Sequence, residues 1–125
     1  MALVGAVVVI LNDRDEILIL KRPAFVDWAP EKWALPGGKL EHNESALTAA
    51  IRETKEETEL DVRNLKIINL KVGSPIAPFY TRQYTGTVKI DFEHTDWTWT
   101  PRSKIETYDL APSVLELYEW VLTNG

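Results

Sequence analysis

Residues 35–60 read LPGGKLEHNESALTAAIRETKEETEL. From Glu44 to Thr58 the residues are good helix formers, and Asn43 or Ser45 can serve as N-cap. Leu47, Ala50, Ile51 and Thr54 recur at the three-and-four spacing of one helical face, which predicts an apolar stripe there. Upstream, Leu35-Pro36-Gly37-Gly38 is turn chemistry. The stretch from Glu41 to Leu60 holds Glu41, Glu44, Glu53, Glu56, Glu57 and Glu59 against Arg52 and Lys55, so most of the chain's net charge of -5 sits here. At about 100° per residue, Glu53, Glu56 and Glu57 fall within an arc of about 100° and share one face.

Like charges four residues apart on a helix repel by a few tenths of a kcal/mol, so something should compensate. One explanation is a solvated face on which Arg52 pairs Glu56 and Lys55 pairs Glu59. The other is a hard divalent cation, which prefers carboxylate and carbonyl oxygen. Gly37-Gly38 suits the second, because a backbone without Cβ lets a carbonyl approach an ion closely. Glu44 joins such a site only if the loop before the helix folds back.

Working outward, Leu3 to Leu11 and Ile17 to Leu20 are β-branched-rich runs either side of the polar Asn12 to Glu16, and read as a hairpin with both arms buried. Pro23 to Trp33 has neither strand nor helix period and reads as an ordered loop exposing aromatics. Leu65 to Val72 reads as a strand, Gly73-Ser74-Pro75 as a turn, Tyr80 to Phe92 as one long strand with its even positions buried, and Trp97 to Thr100 as a short strand. Pro112 opens a second helix whose stripe is Val114, Leu117, Tyr118, Val121 and Leu122. Strands and helices interleave without regular alternation, which predicts an α/β fold, an αβα sandwich around a mixed sheet.

The chain has 125 residues, 45% of them apolar and 26% charged, which suits one domain spanning residues 1–125. An excess of Asp and Glu over Lys and Arg argues against nucleic acid as partner. No apolar run is long enough to cross a membrane and no leader is evident, so no membrane partner and a cytoplasmic location are expected. The absence of Cys excludes disulfides and a thiol nucleophile. Only His42 and His94 are present, without the spacing of a zinc site.

Gly38, five residues, Glu44, seven residues, Arg52-Glu53, then Glu56-Glu57 and Leu60 resembles the signature of the Nudix hydrolases, the MutT-like enzymes. Six fixed residues at their spacing match by chance about once in ten million starts. Thr54 stands where an aliphatic residue is usual, tolerable if its hydroxyl bonds back to a helix carbonyl. Glu59 stands where a second Gly is usual, which predicts a changed helix end, because glycine's easy left-handed conformation is lost. Trp33 to Lys39 is similar to the family's lead-in and Glu93 to Trp99 to its late acidic-and-Trp segment.

The resemblance implies the Nudix-type αβα sandwich, a Mg²⁺ requirement with Mn²⁺ as substitute, and cleavage of a phosphoanhydride in a nucleoside diphosphate linked to another group. A nucleoside triphosphate or oxidised nucleotide leads among the substrates, with ADP-ribose, dinucleotide polyphosphates and nucleotide sugars behind it. It further implies Gly38, Glu53, Glu56 and Glu57 at the metal, Glu56 or Glu44 as general base with Glu93 or Asp96 as further candidates from the late loop, and Arg52 orienting the carboxylates. Arg22, Trp28, Lys39 and Glu93 are the candidates for contacting substrate, and Arg82 is a further cation considered for phosphate. A homodimer is compatible with this reading, and a non-catalytic nucleotide-sensing or partner-binding domain is the alternative.

Overall fold

The computed structural model describes residues 2–73 and 75–125. Strands β1 (Gly5–Ile10) and β2 (Ile17–Lys21) flank the polar turn, as expected. They do not form a hairpin ladder, however, and meet only in the isolated bridge between Leu11 and Ile17. Each arm instead enters its own sheet. β1 lies between β4 (Gly37–Lys39), antiparallel to it, and β7 (Ile76–Thr81), parallel to it, with β6 (Lys66–Ile67) beyond β7. β2 lies between β3 (Trp33–Ala34) and β9 (Asp96–Thr100).

The two-residue alternation of a strand explains why both arms are apolar at almost every position. Val9, Leu11, Ile17 and Ile19 point into one core with Leu117, Tyr118 and Val121 of α2 (Val114–Asn124). Val8, Ile10, Leu18 and Leu20 point into the other core with Ala49 and Ala50 of α1 (Ala46–Thr58). A helix on each face of the strands gives the expected αβα arrangement, and the parallel β1 to β7 pairing makes the sheet mixed.

Two strand expectations are corrected. The run Leu65 to Val72 forms only β6, and β5 (Asp61–Arg63) precedes it. The run Tyr80 to Phe92 breaks into the end of β7 and β8 (Gln83–Thr85), then leaves the sheets at Gly86, whose φ is +104°. Beyond that break Val88 and Ile90 still pack against the core while Thr87 and Lys89 are exposed, so the expected alternation of burial persists to Ile90 and fails at Phe92, which is 86% exposed. The turn expected at Gly73-Ser74-Pro75 falls partly outside the described residues at Ser74.

The helix α1 starts at Ser45, whose hydroxyl oxygen accepts the Thr48 N–H at 3.1 Å. Its buried face differs from the expected stripe. Leu47 and Ile51 are exposed, while Ala49, Ala50, Thr54, Glu57 and Thr58 are buried. Small alanines let the helix lie close to β1 and β4, and that approach carries Glu53 and Glu57 to the two glycines of β4. Thr54 departs from its expected back-bond: its hydroxyl is buried without a partner, and it is Thr58 Oγ1 that donates to Thr54 O, at 2.6 Å. Glu59 nevertheless takes the left-handed conformation usual for Gly (φ 63°, ψ 13°), and its N–H caps Lys55 O at 2.9 Å. The helix end is therefore retained with a strained residue in place, and the change expected there does not occur.

Candidate active site

Arg52 organises the acidic stretch. Its Nε and Nη2 donate to the two oxygens of Glu44 at 2.7 and 2.8 Å, a bidentate fork. Nη1 donates to Glu53 Oε1 at 2.8 Å and Glu56 Oε1 at 2.9 Å, and Nη2 also reaches Lys39 O at 3.1 Å. Glu44 meanwhile accepts the Glu41 N–H at 2.9 Å, so the loop before α1 does fold back onto the helix. The fork, more than the Glu41 N–H, holds the Glu44 carboxyl well below its ordinary range, at about 2. Glu44 in turn is the main reason the Arg52 guanidinium is still harder to deprotonate than usual. Lys55 pairs Asp61 at 3.0 Å, and meets Glu59 only at its backbone carbonyl rather than at the expected carboxylate.

Glu57 stands apart from this fork. It is 4% exposed and accepts the Gly37 N–H at 3.1 Å. Burial, reinforced by the carboxylates of Glu53 and Asp91, pushes its pKa up to about 9 against the pull of that N–H. Gly38 lies against Glu53 so closely that a Cβ there would sit 2.4 Å from Glu53 Oε2. Thus a backbone cleared of Cβ, a buried carboxylate crowded by others, and an all-oxygen donor set suit a hard cation. As they stand, no three acidic or imidazole side chains among the described residues converge on one point, because Glu53 and Glu56 turn to Arg52 and Glu57 to Gly37.

The late segment reaches the site through a residue the sequence reading passed over. Lys89 N–H donates to Thr58 O at 2.9 Å, drawing the segment after β8 across the C-terminal end of α1. Asp91 is then near enough to act on Glu57, and its Oδ1 lies 2.8 Å from Nδ1 of the buried His94. Glu93 is exposed, and no described hydrogen bond ties its side chain to the carboxylates. An acid three residues before a buried histidine was the available signal.

A cavity of about 490 Å³ opens beside Gly37, Gly38 and Lys39. Arg22 and Trp28 are at its mouth, where Arg22 Nε donates to Trp28 O at 2.7 Å and the guanidinium stacks 5.0 Å from the ring centroid. Arg82 takes no part, since it pairs with Asp15. Trp33 packs edge-on against Tyr108, Trp99 stacks on Tyr84, and Trp120 meets Tyr80, which makes all three packing residues.

Comparison with known proteins agrees with this geometry. The chain is 28% identical over 125 residues to the CTP pyrophosphohydrolase of Escherichia coli, covering 95% of this chain and 91% of that protein. It is 44% identical over 54 residues to a putative 8-oxo-dGTP diphosphatase of Bacillus subtilis, a stretch that spans 43% of this chain and only 33% of that protein. The crystal structure of the MutT protein of Methanosarcina mazei superposes with a TM-score of 0.77 at 24% identity, covering 98% of this chain and 95% of that one. The family model of the NUDIX domain matches residues 1–121, and this chain belongs to that family.

Proposed function

We propose that the chain hydrolyses a phosphoanhydride bond of a nucleoside triphosphate or related nucleotide, using Mg²⁺, with Mn²⁺ as substitute, held by the Gly38 carbonyl, Glu53, Glu56 and Glu57. The observation that carries this is the Arg52 fork, which gathers Glu44, Glu53 and Glu56 beside the Gly38 backbone. A bound divalent ion there supplies charge neutralisation of the phosphates and a water of lowered pKa.

The chain's own residues divide the remaining work. Glu44 has both oxygens engaged by Arg52 and a depressed pKa, so it is a poor proton acceptor and serves to fix the guanidinium. Glu56 is half exposed, and its Oε2 is only loosely held by Arg52 at 3.3 Å. We assign the base to that oxygen: it takes the proton as the water oxygen bonds to phosphorus and the anhydride oxygen leaves. Arg22, Trp28 and Lys39 line the cavity mouth and receive the nucleotide, with Arg22 holding Trp28 in place. Glu93 is kept as a substrate contact from the late loop.

A nucleotide panel with Mg²⁺, scored for nucleoside monophosphate and pyrophosphate or phosphate, tests the reading. Turnover that falls by about 10² or more in Glu56→Gln, and less in Glu44→Gln, supports the division of roles. No turnover of any member favours a nucleotide-binding domain without catalysis. Membrane association is not part of the reading, and no helix among the described residues is long and apolar enough to cross a membrane.

A further inference from the structure

The segment between β8 and β9 carries two side chains that the reaction as described leaves without a task, Asp91 and His94. No strand ladder holds residues 86–95, and isolated contacts fix the segment instead. Lys89 N–H donates to Thr58 O at 2.9 Å, Ile90 packs against the core on the α1 side, and Thr95 N–H donates to Lys21 O at 3.0 Å at the end of β2. Between the last two contacts the chain turns. Phe92 and Glu93 are exposed there, whereas the side chains of Asp91 and His94 are withdrawn from water, to 18% and 5% exposure.

These two residues are bonded to each other twice. His94 Nδ1 lies 2.8 Å from Asp91 Oδ1 and, because a carboxylate only accepts, Nδ1 is the nitrogen that carries the proton. The His94 backbone N–H closes the turn on Asp91 O at 3.4 Å. Among the described residues no other hydrogen bond reaches the Asp91 carboxylate. Asp91 is two residues from the Lys89 anchor, a reach of at most about 7 Å, and the partner of that anchor, Thr58, adjoins Glu57. Held inward, the Asp91 carboxylate therefore adds to the negative field on buried Glu57. Turned outward, the same charge is screened by water and salt.

We infer that His94 is a positioning residue for the cation site: by holding the Asp91 carboxylate inward it raises the affinity of the Glu53 and Glu57 carboxylates for a divalent ion, without itself touching ion or nucleotide. The inference rests on the hydrolase reading above and adds a device that loads that same site. Asp91 acts on the ion through the field, so its effect falls on ion capture and not on the attack of water at phosphorus. Removing a group that orients the surroundings of a metal typically costs about 10- to 100-fold in affinity. One carboxylate acting through the field belongs at the lower end, about tenfold.

The test follows Mn²⁺ binding to the full chain by electron paramagnetic resonance of the free ion, and the Mg²⁺ dependence of nucleotide turnover. His94→Phe keeps a ring and loses the N–H, His94→Asn places an amide N–H near the position of Nδ1, and Asp91→Asn removes the charge. The Kd for Mn²⁺ is expected to rise about tenfold in His94→Phe and in Asp91→Asn, and to stay within about threefold of the parent in His94→Asn. Adding His94→Phe to Asp91→Asn should cost nothing further, since the two act as one unit. The Mg²⁺ concentration for half-maximal turnover should rise in step, with kcat at saturating Mg²⁺ within about twofold of the parent. If thermal melts show His94→Phe unfolded, His94→Met, apolar and more adaptable, is read in its place. A parent-like Kd in Asp91→Asn overturns the inference, and so does a double variant whose losses multiply or a His94→Asn as weak as His94→Phe. A kcat that falls in Asp91→Asn even at saturating Mg²⁺ overturns it too, because Asp91 then takes part in the chemistry. A parent chain that neither binds Mn²⁺ nor turns over any nucleotide defeats the hydrolase reading itself, and the inference with it.

Discussion

Glu57→Gln is expected to make the protein more stable and less active at once. In the folded chain the Glu57 carboxyl is 4% exposed, and burial with Glu53 and Asp91 nearby raises its pKa from 4.5 to about 9. An acid whose folded pKa lies above its unfolded value favours folding fully below the unfolded value, and that contribution is lost as pH rises toward the folded one. In chelator, stability should therefore decline from about pH 4.5 to about pH 9. Each unit is worth about 1.4 kcal/mol, so at pH 7 the loss is on the order of 3 kcal/mol. Glutamine keeps the oxygen that accepts the Gly37 N–H and offers Glu53 a donor, but it cannot ionise. Urea or thermal unfolding in EDTA across pH 5 to 9 should show the two proteins converging at the acid end, and Glu57→Gln melting higher by about 10 °C near neutrality. Mg²⁺ should stabilise the parent by mass action and the variant far less, while turnover in the variant falls by about 10² or more. A variant less stable than the parent throughout that range, or stabilised equally by Mg²⁺, would refute the placement of an ionisable carboxyl in a cation site.

Three other substitutions probe the same framework. Gly38→Ala places a methyl where Glu53 Oε2 lies 2.4 Å away, so the carboxylate must move and Mg²⁺ affinity measured by calorimetry should drop about tenfold or more, with circular dichroism unchanged. Thr54→Val replaces a buried, unpartnered hydroxyl with a methyl of similar shape; unfolding free energy should rise by about 1 kcal/mol, and a fall would mean that the hydroxyl has a partner in solution. Glu59→Gly relieves a left-handed residue at the end of α1 (φ 63°), and should raise the melting temperature by a few degrees without touching kcat. A lower melting temperature there would show that the side chain contributes more than its backbone strain costs.

The two helices and the burial of both arms at the start of the chain were legible because they depend on local pattern. The pairing of those arms was not. A polar turn between two apolar runs predicts a hairpin, yet an all-apolar run is equally what a strand buried on both faces requires. Choosing between them needs partners far away in sequence, such as β7 for β1 and β9 for β2. The run from Tyr80 to Phe92 misled for a related reason, since its alternation continues through Gly86 although the chain leaves the sheet there.

The site divides along the same line, and the division explains why its most perturbed group was identified by position but not by state. Spacing alone placed Glu53, Glu56 and Glu57 on one face, and the motif added Gly38, Glu44 and Arg52. Spacing could not tell that the face turns inward. Counting apolar residues selected Leu47 and Ile51 as the buried side, whereas Ala49 and Ala50 allow the closer approach and take Glu57 inward with them. Burial of that one side chain then separates the carboxylates into kinds: Glu44 held ionised by a fork, Glu57 driven toward its neutral form, and Glu56 left half exposed. Arg52 cannot neutralise all of them, because its five N–H donors already serve three carboxylates and the Lys39 carbonyl. The carboxylates of Glu53 and Asp91 crowd the buried Glu57 beside the Gly38 backbone, which is where the proposed divalent ion would have most to neutralise.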